Sequence, residues 1–259
     1  MSAGAVARSL ELLALPGIPL VRRGDDLAGL ILEAVAAAGR ALEAGDVLVL
    51  AQKIVSKAEG RTADLAEITP SPRARKLAAQ CHKDARLVEL ILSESTEVLR
   101  QRPGVLVVVH RSGVVLANAG IDASNVGGDE GTEQVLLLPE DADATCSRLR
   151  QTIRERIGVE VAVIVNDSLG RAWRNGTVGV ALGASGLAAL IDLRGSRDLF
   201  GRPLTVGEAV ADELAAAATL VQGQADEGSP VVLVRGFAAT PGEHGAGALI
   251  RATDEDLFR

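Results

Sequence analysis

The run Val161-Ala-Val-Ile-Val165 narrows the fold more than any other feature: it is wholly apolar and mostly β-branched, so it reads as a buried strand. Similar runs recur at Val47–Leu50, Val105–Val109, Val114–Leu116, Val135–Leu138, Gly179–Leu182 and Val231–Val234, and the first run reaches back to Val159. None approaches the ~18 residues of a membrane span. Between them the apolar spacing becomes helical at Asp25–Leu42, Pro72–Leu99, Asp143–Ile157 and Val206–Val221. Thr205 and Asp143 are expected to cap two of these helices, with Glu208 as the capping-box partner of Thr205. The expectation is an α/β chain (α+β, mixed sheet). An antiparallel pairing of 105–109 with 114–116 across Ser112-Gly113 is as natural as a doubly wound order.

Three of the apolar runs break into residues suited to chemistry. The Val161–Val165 strand delivers Asp167 and Ser168 at its end, then Gly170 and two arginines, Arg171 and Arg174, flanking the only Trp. A carboxylate at a strand end suits a hard cation, and paired arginines suit phosphate or carboxylate oxygens. The run at Val114–Leu116 leads into Gly120, Asp122, Ser124, Asn125 and the pair Gly127-Gly128, where small residues admit a ligand close to the backbone. The run at Val47–Leu50 leads into Gln52, Lys53, Ser56, Lys57 and Arg61, lysines placed to meet phosphate as point charges. Each segment alone is more often a solvated turn or a snorkelling lysine than a ligand site. No G-x-x-x-x-G-K-[ST] sequence occurs, so phosphate binding here needs a scaffold other than the P-loop.

Composition removes other classes. A formal net charge of −7 argues against a nucleic-acid partner, which needs a basic stripe. The three histidines, His82, His110 and His244, are scattered and no cysteines pair as C-x-x-C, so oxygen ligands and a hard metal are favoured over a zinc cage. Gly183-Ala-Ser-Gly186 fails as a nucleophile elbow because residue 187 is Leu. Cys81 and Cys146 are expected as free thiols in helices, and the start of the chain carries no signal-peptide pattern, which makes the cytoplasm the expected address.

Taken in order, Gly17-Ile-Pro-Leu-Val-Arg-Arg-Gly-Asp-Asp26, Lys53-Ile-Val-Ser-Lys57, Ala119-Gly-Ile-Asp-Ala-Ser-Asn-Val126, Gly170-Arg-Ala-Trp-Arg-Asn-Gly176 and Val231-Val-Leu-Val-Arg-Gly236 resemble the coenzyme F420 gamma-glutamyl ligase family. The resemblance implies that family's fold and an intertwined homodimer. It implies ligation of L-glutamate to coenzyme F420-0, giving F420-1 and further γ-linked glutamates, with GTP cleaved to GDP and phosphate through an acyl phosphate. It implies Mn2+ or Mg2+ held by Asp122, Asp167, Ser168 and Gln224, with a monovalent cation such as K+ as a further expectation. Nucleotide contacts carry over to Ile18, Pro19, Leu20 and Val21, to Gln52 and Lys57, to Asn125, and to Gln222, Gly223, Gln224, Ala225 and Asp226. Clamping of acceptor or phosphate by Arg171 and Arg174, beside Lys57, is inferred from residue type.

Two departures stand out: Asn166-Asp-Ser168 replaces a Thr-Asp-Thr-like triplet, and Ala51-Gln-Lys53 replaces Thr-Ser-Lys. Ser168 keeps a hydroxyl, whereas Gln52 leaves one phosphate contact open. Residues 1–259 are expected to form one ligase domain, with room for two subdomains. Residues 238–259 read as a turn-rich tail without the C-terminal flavin-binding domain of longer relatives. The competing function is a nucleotide- or coenzyme-binding module that does not turn over.

Overall fold

The computed structural model describes residues 8–122, 133–242 and 244–256. The first half forms β1 (Glu11–Ala14), α1 (Leu27–Ala37), β2 (Val47–Ala51), α2 (Gln52–Glu59), β3 (Thr62–Asp64), α3 (Pro72–Cys81), α4 (Ala85–Ser93), β4 (Ser95–Arg102), β5 (Val105–His110) and β6 (Val115–Ala117). The second half forms β7 (Gln134–Leu136), α5 (Ala142–Ile157), β8 (Ala162–Arg171), β9 (Arg174–Ser185), β10 (Ile191–Asp192), β11 (Gly207–Glu208), α6 (Val210–Gln222) and β12 (Val231–Arg235). The class is mixed α/β, built on a mixed sheet as expected.

That sheet has the order β1-β12-β2-β8-β9; β2 and β8 are parallel, and the other neighbours are antiparallel. Its central strands are apolar throughout because helices cover both faces. Leu48, Leu50, Val163 and Val165 pack with Ile31 of α1 and Leu149 and Ile153 of α5. Val47, Val49, Ile164 and Val232 turn the other way, onto Val210, Leu214, Ala215 and Ala218 of α6. Two glycines of β9 let these helices approach: a side chain at Gly179 would strike the Ala215 backbone, and one at Gly183 the Ala142 backbone. A second sheet, β4-β5-β6, is antiparallel and packs Leu106 and Val108 against Ala74, Val88 and Ile91 of α3 and α4. The expected pairing of 105–109 with 114–116 is thus present.

Several expectations change. Pro72–Leu99 is two helices followed by a strand: His82 closes α3 in the left-handed region (φ 53°), and Asp84 caps α4 by accepting the Arg86 N–H at 2.8 Å. The α5 cap is Asp141, which accepts from the Ala144 N–H at 2.9 Å. Asp143 instead accepts the N–H groups of Ala184 (2.7 Å) and Ala246 (2.8 Å), tying β9 to the C-terminal segment. That segment is not merely a surface tail, since Ala246 is buried in the α6-side core. Helix α6 is entered from Ala209, while Glu208 pairs with Ile191 in a short ribbon, so Thr205 caps nothing there. Both cysteines are buried and free. Among the described residues no helix is long and apolar enough to cross a membrane.

Candidate active site

Sheet topology gathers the site before any side chain does. The C-terminal ends of β2 and β8 lie side by side, with Ala51 opposite Asn166. Antiparallel β12 begins at this end, Val231 opposite Leu50, and β1 finishes at it, Ala14 opposite Val232. Hence four chain segments converge on one edge: 15–26 after β1, the start of α2 after β2, the Asp167 region of β8, and 222–230 before β12. Crevices beyond the carboxyl ends of parallel strands are where open α/β sheets hold ligands.

Asp122 reaches this edge from the second sheet. The turn Asn118-Ala-Gly120 before it holds φ values of 52°, 54° and 68°, a conformation that costs free energy at Asn118 and Ala119 and that packing sustains. Asn118 is fixed by accepting the Leu106 N–H at 3.0 Å, and Ala119 is buried. Asp122 then exchanges two backbone hydrogen bonds with Leu136, at 3.0 and 2.8 Å. Its carboxylate meets the Lys53 ammonium at 2.6 Å. Burial pushes the Asp167 carboxyl up to about 6; the Ser168 N–H and the Lys53 charge pull it down, and the Asp122 charge raises it. Two carboxylates and an amine therefore share one electrostatic neighbourhood. Burial, followed by the Lys53 charge, also lowers the pKa of Lys57.

Beneath these groups lies a buried amide pair. Asn166 donates Nδ2–H to Gln222 Oε1 at 2.9 Å, and Gln222 returns Nε2–H to Asn166 Oδ1 at 3.2 Å. Gln222 Nε2 also faces the Pro230 carbonyl at 3.3 Å, so one side chain ties α6, β8 and the entry to β12. Immediately beyond it Gln224 donates to Ser168 Oγ at 2.8 Å.

The expected contacts divide accordingly. Asp122, Asp167, Ser168, Gln224 and Lys57 come together at one end of the sheet. Ile18, Pro19, Leu20 and Val21 follow β1 there; Val21 is buried, while Pro19 and Leu20 line a cleft of about 630 Å³ with Arg22, Asp25 and Glu33. Gly223, Ala225 and Asp226 form the loop between α6 and β12, held by the Ala225 N–H on Glu227 at 2.8 Å. Gln52 and Gln222, by contrast, are buried: Gln52 Oε1 accepts from Ser56 Oγ at 2.8 Å, and the Gln222 amide is engaged as above. Asn125 lies outside the described residues. Arg171 and Arg174 are not beside Asp167. Strand β8 runs on past Ser168, and the arginines face each other across a hairpin turn whose Trp173 has φ 64° and is 90% exposed. Lys53, expected to meet phosphate, is paired with Asp122, and Asn166, which was not among the expected contacts, is engaged by Gln222; both partners are distant in sequence.

Among the described residues no group of three or more His, Cys, Asp and Glu side chains gathers for a metal. The donors at hand are the carboxylates of Asp122 and Asp167 and the oxygens of Ser168 and Gln224. That set fits magnesium or manganese, which take one or two carboxylates and complete their shell from water and phosphate.

Comparison with known proteins identifies the family. Residues 17–236 match the family described as F420-0:Gamma-glutamyl ligase. The chain is 47% identical over 253 residues to the coenzyme F420:L-glutamate ligase of Methanothermobacter thermautotrophicus, covering 96% of this chain and 99% of that protein. It is 46% identical over 258 residues to the protein of that name from Methanopyrus kandleri, covering 96% and 99%. For the Halobacterium salinarum protein of the same name the identity is 44% over 258 residues, covering 96% of each chain. With the match spanning every segment that converges on the Asp122–Asp167 edge, the chain belongs to the F420-0:gamma-glutamyl ligase family.

Proposed function

We propose that this chain ligates L-glutamate to the carboxylate of coenzyme F420-0, consuming GTP, and adds further γ-linked glutamates in the same way. The observation that carries the reading is the edge where Asp122 and Asp167 share a field with Lys53 and Lys57, in a chain so similar to ligases of that name. A carboxylate resists amine attack because its oxygen leaves poorly. Attack of the acceptor carboxylate on the terminal phosphorus of GTP expels GDP and leaves an acyl phosphate; the glutamate amine then attacks the acyl carbon, expels phosphate and loses a proton. Both steps crowd negative charge, so they call for cations and oriented donors and not for a protein nucleophile.

The residues take roles on that basis. Asp122, Asp167, Ser168 and Gln224 would hold Mn2+ or Mg2+, which when bound would neutralise phosphate charge. Lys57 meets phosphate as a point charge, and residues 18–21 and 223–226 line the nucleotide. Burial of the Gln52 and Gln222 amides favours supporting roles over nucleotide contact. Arg171 and Arg174, on the hairpin tip, would clamp acceptor or phosphate from the partner copy of a homodimer.

The test follows product mass with purified protein, F420-0, glutamate, Mn2+ or Mg2+, and either GTP or ATP. Stepwise glutamyl additions with GTP are expected. Nucleotide binding without added mass would instead leave a non-catalytic binding module. Asp167→Asn should lower ligation by orders of magnitude while the fold persists, because it removes a full charge from a hard-metal site.

A further inference from the structure

Asp122 is anchored through its backbone, and Lys53 meets its carboxylate from a long aliphatic stem. The Asp122 backbone is fixed by the Asn118–Gly120 turn before it and by its paired hydrogen bonds to Leu136. Lys53 stands at the start of α2 on a four-carbon stem, its side chain about one-third exposed (33%). Its ammonium touches Asp122 at 2.6 Å and its charge is felt by Asp167. Without a cation there, two carboxylates would face each other across a partly desolvated edge, an arrangement in which like charges resist ionising together. Lys57, one helical turn along, carries the same charge on the same face of α2 and opposes a permanent seat for Lys53 so close by.

We infer that Lys53 is an exchangeable internal counter-ion: it neutralises the Asp122–Asp167 pair in the metal-free chain, competes with the divalent cation for Asp122, and is released when that cation binds. The inference rests on the proposed reading of Asp122 and Asp167 as metal carboxylates. An ion pair this exposed is weak enough to exchange, contributing up to about 1 kcal/mol, or roughly fivefold in affinity. Lys53 thereby sets the metal affinity, and its release leaves a second ammonium beside Lys57 for the anionic co-substrate.

The sign of the effect separates this role from a structural one. A lysine that merely supports the site would weaken metal binding when removed, whereas a competing counter-ion would strengthen it. Mn2+ alone is titrated into nucleotide-free wild type, Lys53→Met, Lys53→Gln, Lys53→Arg and Asp122→Asn, with free Mn2+ read by electron paramagnetic resonance and folding checked by circular dichroism. Lys53→Met and Lys53→Gln should bind Mn2+ roughly threefold or more tighter than wild type. Lys53→Arg should stay near wild type, since the competing charge remains, and Asp122→Asn should bind more weakly. Equal or weaker binding by folded Lys53→Met and Lys53→Gln, with Asp122→Asn still impaired, would overturn the counter-ion and leave the metal site standing. Wild-type affinity in Asp122→Asn, or saturable binding in none of the proteins, would overturn the metal reading and the counter-ion with it.

Discussion

The buried amide pair makes a prediction whose size can be worked bond by bond. Asn166 is 1% exposed and Gln222 7%, so neither can turn to water if its partner is lost. In Gln222→Met the side chain keeps its length but loses its amide. Asn166 Oδ1 then has lost its 3.2 Å donor, and Nδ2 retains only the Ala215 carbonyl at 3.4 Å. The Pro230 carbonyl also loses its 3.3 Å side-chain donor. A buried unsatisfied polar group costs about 1–3 kcal/mol, so the change should destabilise by about 2–4 kcal/mol. In Asn166→Leu, Gln222 Nε2 keeps the Pro230 and Val49 carbonyls, at 3.3 and 3.5 Å, and Oε1 alone is stranded. That variant should lose about 1–3 kcal/mol, the smaller of the two.

The double variant Asn166→Leu/Gln222→Met strands neither side chain of the pair. Its loss should fall short of the summed single losses by at least ~1 kcal/mol, because replacing both partners is cheaper than orphaning one. Urea unfolding of the metal-free proteins measures all three. Additivity within about 0.5 kcal/mol, or a larger loss for Asn166→Leu than for Gln222→Met, would refute the reasoning. Because Gln222 leads directly into Gly223 and the Gln224–Ser168 contact, ligation should weaken in both single variants even at temperatures where they are fully folded.

Three further outcomes are expected. Burial raises the pKa of Glu94, but the His110 ring 3.6 Å away and the guanidinium groups of Arg61 and Arg111, at 2.6 and 3.4 Å, outweigh it and hold the carboxyl below its ordinary 4.5. Its contribution is therefore present above that value and lost as pH falls through the depressed one. Glu94→Gln should cost about 3 kcal/mol at pH 7, with the gap from wild type narrowing as pH falls below 4.5 in denaturant titrations; a constant gap would contradict the assignment. Gly183→Ala drives a methyl group into the Ala142 backbone and should lower stability by at least ~2 kcal/mol, whereas Gly170→Ala, which meets nothing within 4 Å, should stay within about 0.5 kcal/mol of wild type by the same melts. Trp173 is 90% exposed and Phe200 87%, so light scattering at micromolar protein should give a dimer mass that Trp173→Glu or Phe200→Asp reduces; a wild-type monomer would count against the homodimer.

What the sequence made legible followed the range over which each cause acts. Strands β2, β8 and β12 could be read because both faces of the sheet are covered, which leaves unbroken β-branched runs in the chain itself. Strand β4 could not: Ser95-Thr-Glu-Val-Leu-Arg-Gln-Arg102 is polar and largely exposed, and it is a strand because β5 pairs with it. The same division runs through the site. Asp167 and Asp122 stood out locally, as carboxylates following apolar runs. The place of Arg171 and Arg174 could not be read because nothing local announces that β8 continues past Ser168 into a tight hairpin, with a left-handed Trp173 where a glycine would have flagged the turn. Lys53 on Asp122 and Gln222 on Asn166 join segments that only the sheet order brings together, and in both the side chain visible in the sequence had its partner elsewhere. A lysine after a strand suits phosphate whether or not a carboxylate awaits it. Its pairing with Asp122, and hence whether it favours or opposes a bound cation, depends on the fold, which is why the metal titration of Lys53 variants asks a question that residue type alone could not pose.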